Sequence, residues 1–243
     1  MLVTGAAGAI GRAAVRGLLE IGRTVRAFDK VPAPAATEHI VGDLTDAAAL
    51  RKAAEGTSAI VHLAAVPDDD DFLTQLLPNN IIGVHNLLEA ARLAGVKRVV
   101  LASSGQVVWW QLLDGPWPIG LDAPYTPRDW YAVTKVAAEM AGKAYARKYD
   151  MSVIAVRLGW FPRTREHAAE LVSTERGPNV YFSPGDAARF FSRAVEAPLE
   201  PGFYPVYAAS RPITREMFDL EGSGRLLGWE PRDQWPTGAE PLL

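Results

Sequence analysis

Three glycines spaced three apart leave this chain few folds to choose from. A short apolar strand, Leu2-Val3-Thr4, runs straight into Gly5-Ala6-Ala7-Gly8-Ala9-Ile10-Gly11, and the chain then continues as a helical stretch from Ile10 to Ile21. A Cβ at these positions would force a disallowed turn or hold other groups away from the backbone, so the spacing suits a strand that bends sharply into a helix. Strands that feed helices in this way build parallel sheets covered on both faces.

The rest of the sequence keeps that rhythm. Thr24 to Phe28, ending at Asp29, His39 to Val41, Ala59 to Leu63, Arg98 to Ala102 and Ser152 to Arg157 read as strands. Between them lie a helix capped at Thr45 or Asp46, a long helical region from about Asp71 to Gly95 kinked near Pro78, and a helix from Asp129 to Tyr149. From Gly159 onward prolines break the chain into short pieces, leaving one helix, Asp186 to Ala197, and a strand near Tyr204 to Ala208. Residues 1–158 are therefore expected to hold the sheet, and residues 159–243 to form a small region that covers a substrate, the whole being one compact unit. The acidic run Asp68 to Asp71 reads as a solvated loop.

Composition removes several classes of function. A formal net charge of -3 provides no basic footprint, so no nucleic-acid partner is expected. The absence of cysteine excludes disulfides, thiolate metal sites and a cysteine nucleophile, and suits a reducing cytoplasm. His39, His62, His85 and His167 have no metal-ligand spacing, and no metal is expected. No apolar run is long enough to span a bilayer, and the opening strand is unlike a signal peptide, so a cytoplasmic location without membrane contact is expected. The brevity of that strand leaves room for native residues ahead of Met1.

The glycine turn is where phosphates can meet the free N–H groups and positive end of a helix. It follows a strand, opens a helix, and precedes an acidic residue, Asp29, at the end of the second strand, as a dinucleotide fingerprint requires. The expected class is thus α/β, a doubly wound parallel sheet of the Rossmann type, with Gly5, Ala7, Gly8, Ala9, Ile10 and Gly11 against the cofactor. A carboxylate at position 29 can accept hydrogen bonds from both adenosine ribose hydroxyls and repels a 2′-phosphate, which favours NAD over NADP. Lys30 and Arg12 are the nearby cations that act against this preference.

Tyr131 and Lys135 stand one helical turn apart on the same face. A free tyrosine titrates near 10, and a neighbouring cation is expected to stabilise the phenolate and make a usable general base. The strand ending in Ser103 and Ser104 reaches the C-terminal sheet edge, where open α/β folds bind ligands. There Ser104 can orient the reacting group, while Ser103 is expected to cap the following turn.

Taken together, Thr4-Gly-x-x-Gly-x-x-Gly11, Gly42-Asp-Leu44, His62-Leu-Ala-Ala65, Asn80-Ile-Ile-Gly83, Ser103-Ser104, Tyr131-x-x-x-Lys135 and Arg157 resemble the extended short-chain dehydrogenase/reductase family, also called the NAD-dependent epimerase/dehydratase family. The resemblance covers residues 1 to about 160. It implies Asp43 and Leu44 near the adenine, Leu63, Ala64, Ala65 and Ala102 along the cofactor, and Asn80 ordering the active site. It also implies that Lys135 binds the nicotinamide ribose and that the chain forms a homodimer through helices near 72–95 and 129–148.

Within that family the stretch Asn80 to Arg92, the short C-terminal region and Leu227-Gly-Trp-Glu-Pro-Arg-Asp233 are similar to uronate dehydrogenases, which oxidise a sugar acid at its anomeric hydroxyl. The substrate positions depart from that group. Gly105-Gln106 stands where an Asn-His pair is usual, and Pro67 and Trp160 replace serines. Arg176 is the counterpart of the carboxylate-binding arginine, with Arg163 and Arg165 as rivals. Trp109, Trp110, Trp117, Trp130 and Trp160 can stack on a sugar ring or fill the core. Ser104, Gln106, Trp160 and Arg176 are the expected substrate contacts, for a sugar acid or a similar small molecule. The expected reaction transfers hydride to NAD. The alternatives are an epimerase or dehydratase with tightly held NAD, and a non-catalytic NAD-binding protein.

Overall fold

The computed structural model describes residues 1–242. Seven parallel strands form one sheet: β1 (Leu2–Thr4), β2 (Arg26–Asp29), β3 (Glu38–Val41), β4 (Ala59–His62), β5 (Arg98–Ser104), β6 (Ser152–Leu158) and β7 (Gly202–Ala208), in the order β3-β2-β1-β4-β5-β6-β7. The chain winds outward from β1 to β3, then returns beside β1 as β4 and winds the other way. Connections leaving β1 and β4 therefore diverge, and a crevice opens at the carboxyl ends of these two strands.

Apolar residues on both sheet faces explain the two helical layers. One face packs on α1 (Ala9–Glu20) and α7 (Pro184–Glu196), with Val3, Val61, Val100, Ile154, Phe190 and Phe191 in a single buried cluster. The other packs on α2 (Ala47–Ala54), α3 (Gly83–Leu93) and, later in the chain, α5 (Trp130–Tyr149), around Leu2, Ile60, Val99, Leu101 and Val153. Between β4 and α3 the chain is wound as a wide π-helix over Phe72–Ile82, with Leu76 N–H bonded to Asp71 C=O. Pro78 sits inside it and has no N–H to bond. The kink expected at Pro78 is thus a change of helical pitch.

The segment 159–242 shares its residues between two tasks. Its strand β7 pairs with β6 from Ser152↔Gly202 to Leu158↔Ala208, and α7 lies on the sheet face, so both belong to the main layers. Pro205 is tolerated in β7 because that strand is the sheet edge. The remainder, with α6 (Arg165–Val172) and α8 (Leu220–Leu227), covers the carboxyl ends of β5 to β7 together with residues 105–125, where α4 (Trp109–Asp114) lies. Val107, Leu112, Ile119, Tyr207, Met217 and Phe218 hold that cover together. Sequence reading missed α4, α6 and α8, which are six to eight residues long and take their stability from packing.

Candidate active site

The glycine turn is a close-packed cradle. Gly5 has φ +68°, its N–H donates to Phe28 C=O at 2.9 Å, and a Cβ there would come within 2.6 Å of Ala64 N. A Cβ on Gly11 would lie 2.0 Å from Gly5 O. Gly8 is the N-cap of α1 and no side chain caps the helix, which leaves the amides of Ala9, Ile10 and Gly11 to face an anion. The Ala7 N–H is already used: it donates to Asp29 Oδ2 at 2.9 Å, so Ala7 can touch a cofactor with its other atoms only.

Asp29 therefore both braces the turn and presents its carboxylate at the end of β2. Lys30 is drawn elsewhere, to Asp43 at 3.1 Å and to Asn79 Oδ1 at 3.3 Å, and Arg12 donates to Ala7 C=O. The 2′-phosphate partners considered in the sequence are thus engaged, and the carboxylate remains to accept ribose hydroxyls. The Asp43 carboxyl is held below its ordinary range, first by the Thr45 N–H and then by the Thr45 hydroxyl and Lys30. Leu44 is buried beneath Gly83.

The opposite lip, Leu63 to Val66, is fixed by two buried groups. Thr4 Oγ1 lies 2.7 Å from His62 Nδ1 and accepts the Ala64 N–H at 3.3 Å. Burial, with the nearby Lys135 charge, pushes the His62 imidazole down to about 3, so it is neutral at physiological pH. Asn80 grips Val66 from both sides, accepting its N–H at 2.8 Å and donating to its C=O at 3.1 Å, and also donates to Thr134 Oγ1 at 3.1 Å. One amide side chain on the π-helix thereby ties the cofactor lip to the first turns of α5.

Helix α5 starts at its cap Asp129, which accepts the Ala132 N–H at 2.9 Å, and presents Tyr131 in a buried position. Asp69 Oδ1 accepts the Tyr131 N–H at 3.2 Å. Lys135 lies with its ammonium 5.4 Å above the Tyr131 ring and donates to Ala102 C=O at 3.1 Å. The phenol departs from the sequence expectation: burial raises its pKa well above the ordinary value, and the Asp68 and Asp129 charges add to this. The Ser104 hydroxyl and Arg163 act the other way. The Lys135 ammonium, 5.4 Å from the ring centre, does not outweigh burial and is itself pushed down to about 8 by desolvation.

Turn capping falls to Ser104 and not, as expected, to Ser103. Ser104 Oγ accepts the Gln106 N–H at 3.1 Å and so caps the turn, while remaining close enough to Tyr131 to favour its phenolate. Ser103 instead donates to Glu139 Oε1 at 2.6 Å. Glu139 is nearly inaccessible and also receives Arg157 through Nε and Nη2, each at 3.1 Å, and the Tyr125 hydroxyl at 2.8 Å. Sequence reading missed it, although Tyr131, Lys135 and Glu139 repeat every four residues on one helix face.

Among the substrate candidates, Gln106 adjoins Ser104 and its Oε1 is buried with no partner among the described residues. Trp160 is tied by its backbone to Tyr181 and packs its ring between two apolar clusters. Arg176 stacks 4.8 Å from the centre of Trp109, which also carries Arg128 at 4.7 Å. It lines a cavity of about 250 Å³ with Trp117, Arg215 and Met217, and neither Ser104 nor Tyr131 reaches that cavity. Arg163 pairs with Asp68 at 2.6 Å. The acidic run is therefore not merely solvated: Asp68 pairs, Asp69 caps Tyr131, and Asp71 caps the π-helix.

A glycine cradle at the switch point of a parallel sheet, with a phenol and a hydroxyl meeting at the end of β5, defines an α/β enzyme of the dinucleotide-binding class. Residues 1–161 match the family described as the NAD dependent epimerase/dehydratase family, and the chain belongs to it. It is 32% identical to an L-arabinose 1-dehydrogenase (NAD(P)(+)) of Haloferax volcanii, over 98% of each chain. It is also 32% identical to a uronate dehydrogenase of Agrobacterium fabrum, over 96% of this chain and 84% of that protein. A uronate dehydrogenase variant from Agrobacterium tumefaciens solved with NAD is similar over 99% of this chain and 87% of that one, with 30% identity and a TM-score of 0.79.

Proposed function

We propose that the protein is an NAD-dependent dehydrogenase that oxidises a hydroxyl of a sugar-like small molecule, a sugar acid or a similar aldose, as uronate dehydrogenases do. The observation that carries this reading is the docking of α5 on the end of β5, where Lys135 Nζ donates to Ala102 C=O at 3.1 Å and buried Tyr131 lies by Ser104, one strand away from the lip that Thr4 and His62 fix beside the glycine turn. NAD, when bound, supplies the hydride acceptor. The amides of Ala9, Ile10 and Gly11 would hold its phosphates, Asp29 would take the adenosine ribose, and Lys135 would take the other ribose.

Ser104 orients the substrate hydroxyl and Tyr131 removes its proton. Because burial holds the phenol in its protonated form, oxidation quickens as the pH rises, and the reverse reaction finds its acid already loaded. Asn80 positions both sides of the crevice at once, through Val66 and Thr134. Gln106, with its buried unpartnered Oε1, is the proposed substrate contact beside Ser104, whereas Trp160 and Arg176 face apolar clusters and a separate cavity and are left out of the proposal. A homodimer through the π-helix, α3 and α5 is part of the proposal, supported by the exposed apolar side chains of Leu73, Trp130 and Met140 along those elements.

Incubation with NAD and a panel of uronates and aldoses, following NADH absorbance, tests the reading. Dehydrogenase action accumulates NADH beyond one equivalent per chain. Interconversion of sugars without NADH would assign the protein to epimerisation instead.

A further inference from the structure

Asp68 and Arg163 are 95 residues apart and meet at 2.6 Å. Asp68 lies in the loop that follows β4, and Arg163 in the loop that follows β6. In the sheet β5 lies between those strands, and its last residue is Ser104. An ion pair joining these loops therefore arches over the end of β5. The arch also stands beside the phenol: Asp69 accepts the Tyr131 N–H, and both members of the pair contribute to the field at the Tyr131 oxygen. Arg163 is the more covered of the two, at 29% side-chain exposure against 63% for Asp68.

We infer that Asp68 and Arg163 determine substrate specificity: their ion pair spans the mouth of the reactive crevice and neutralises the arginine, so that an uncharged aldose is favoured over a sugar acid. The inference rests on the dehydrogenase reading above and narrows its substrate class. A sugar carboxylate entering beneath the arch has to displace Asp68 from Arg163 while meeting the Asp68 charge, and like charges brought together are unfavourable, though solvent at the exposed Asp68 moderates the effect. An uncharged sugar displaces nothing, and one of its hydroxyls can bond to Oδ1, the carboxylate oxygen that Arg163 leaves open. The pair is partly exposed, so it adds little to folding and its loss leaves the fold intact.

The test compares kcat/KM for L-arabinose and for glucuronate, with NAD, in the wild-type protein, Asp68→Asn and Arg163→Gln. Asp68→Asn releases the arginine and is expected to raise the glucuronate-to-arabinose ratio about tenfold or more, while Arg163→Gln leaves an unpaired carboxylate and lowers it. A second readout is the pH at half-maximal kcat/KM. The groups acting on Tyr131 are Asp68 and Arg163 from the loops, Ser104 from β5, and Asp129 and Lys135 at and on α5. Removal of Asp68 moves that pH down and removal of Arg163 moves it up. An active wild type whose ratio is unmoved in both variants, or whose ratios move in the same direction, overturns the inference alone. A wild type that forms no NADH from any sugar overturns the dehydrogenase reading and this inference with it.

Discussion

The two walls of the crevice are made in opposite ways. Around β1, β2 and β4 the surface is backbone: glycines at 5, 8 and 11, alanines at 64 and 65, and amides left free at the start of α1. Around β5, β6 and β7 the surface is side chain, set on a buried ion pair between Glu139 and Arg157 that Ser103, Tyr125 and Tyr207 complete. A backbone wall admits a ligand by what is missing from it, and suits a part common to many reactions. A side-chain wall is rebuilt by substitution, and that is where relatives able to act on different sugars can differ.

The division is broken most severely if chemistry and cofactor binding fail together. Tyr131→Phe is expected to lower kcat by about 10²- to 10⁴-fold while calorimetric NAD affinity stays as in the wild type. Loss of NAD binding in that variant would mean that the walls are not separable.

This contrast also explains what could be read from the chain. The first wall was legible because small residues must recur at fixed spacing, and Gly5 and Gly11 form the close-packed turn, braced by Asp29, that this spacing predicts. Tyr131, Lys135 and Ser104 were legible as a local pattern, but the direction of the Tyr131 shift was not, since it depends on burial and on Asp68 and Arg163 arriving from distant loops. The place of Ser103 escaped for a similar reason. It depends on Glu139, which only the packing of α5 on β5 brings beneath the strand. Strand β7 was visible, yet its place beside β6 was not, because pairing partners leave no mark in a single strand.

Glu139→Gln sharpens the contrast on the second wall. It leaves the Arg157 charge buried without its partner, and urea unfolding is expected to show a loss of about 3–5 kcal/mol. A loss below 1 kcal/mol, roughly that of an exposed pair, would show that the platform does not depend on buried charge.

The smallest effect, read per pH unit, concerns the first wall, where His62 is a buried titrating group. Its folded pKa of about 3 lies below its unfolded value near 6.5, so the unfolded chain binds the extra proton between these pH values and stability falls as pH drops through that window. His62→Asn is expected to flatten this part of the urea-midpoint profile, by at most about 1.4 kcal/mol per pH unit. Parallel profiles for wild type and variant would place the acid sensitivity elsewhere.

The most direct measurement is a calorimetric titration of the wild-type protein and Gly11→Ala with NAD. The cradle requires one NAD site per chain in the wild type and its loss in Gly11→Ala, where the added methyl meets the Gly5 carbonyl. Equal affinity in the two proteins, or no binding in the wild type, would contradict a dinucleotide seated on the glycine turn.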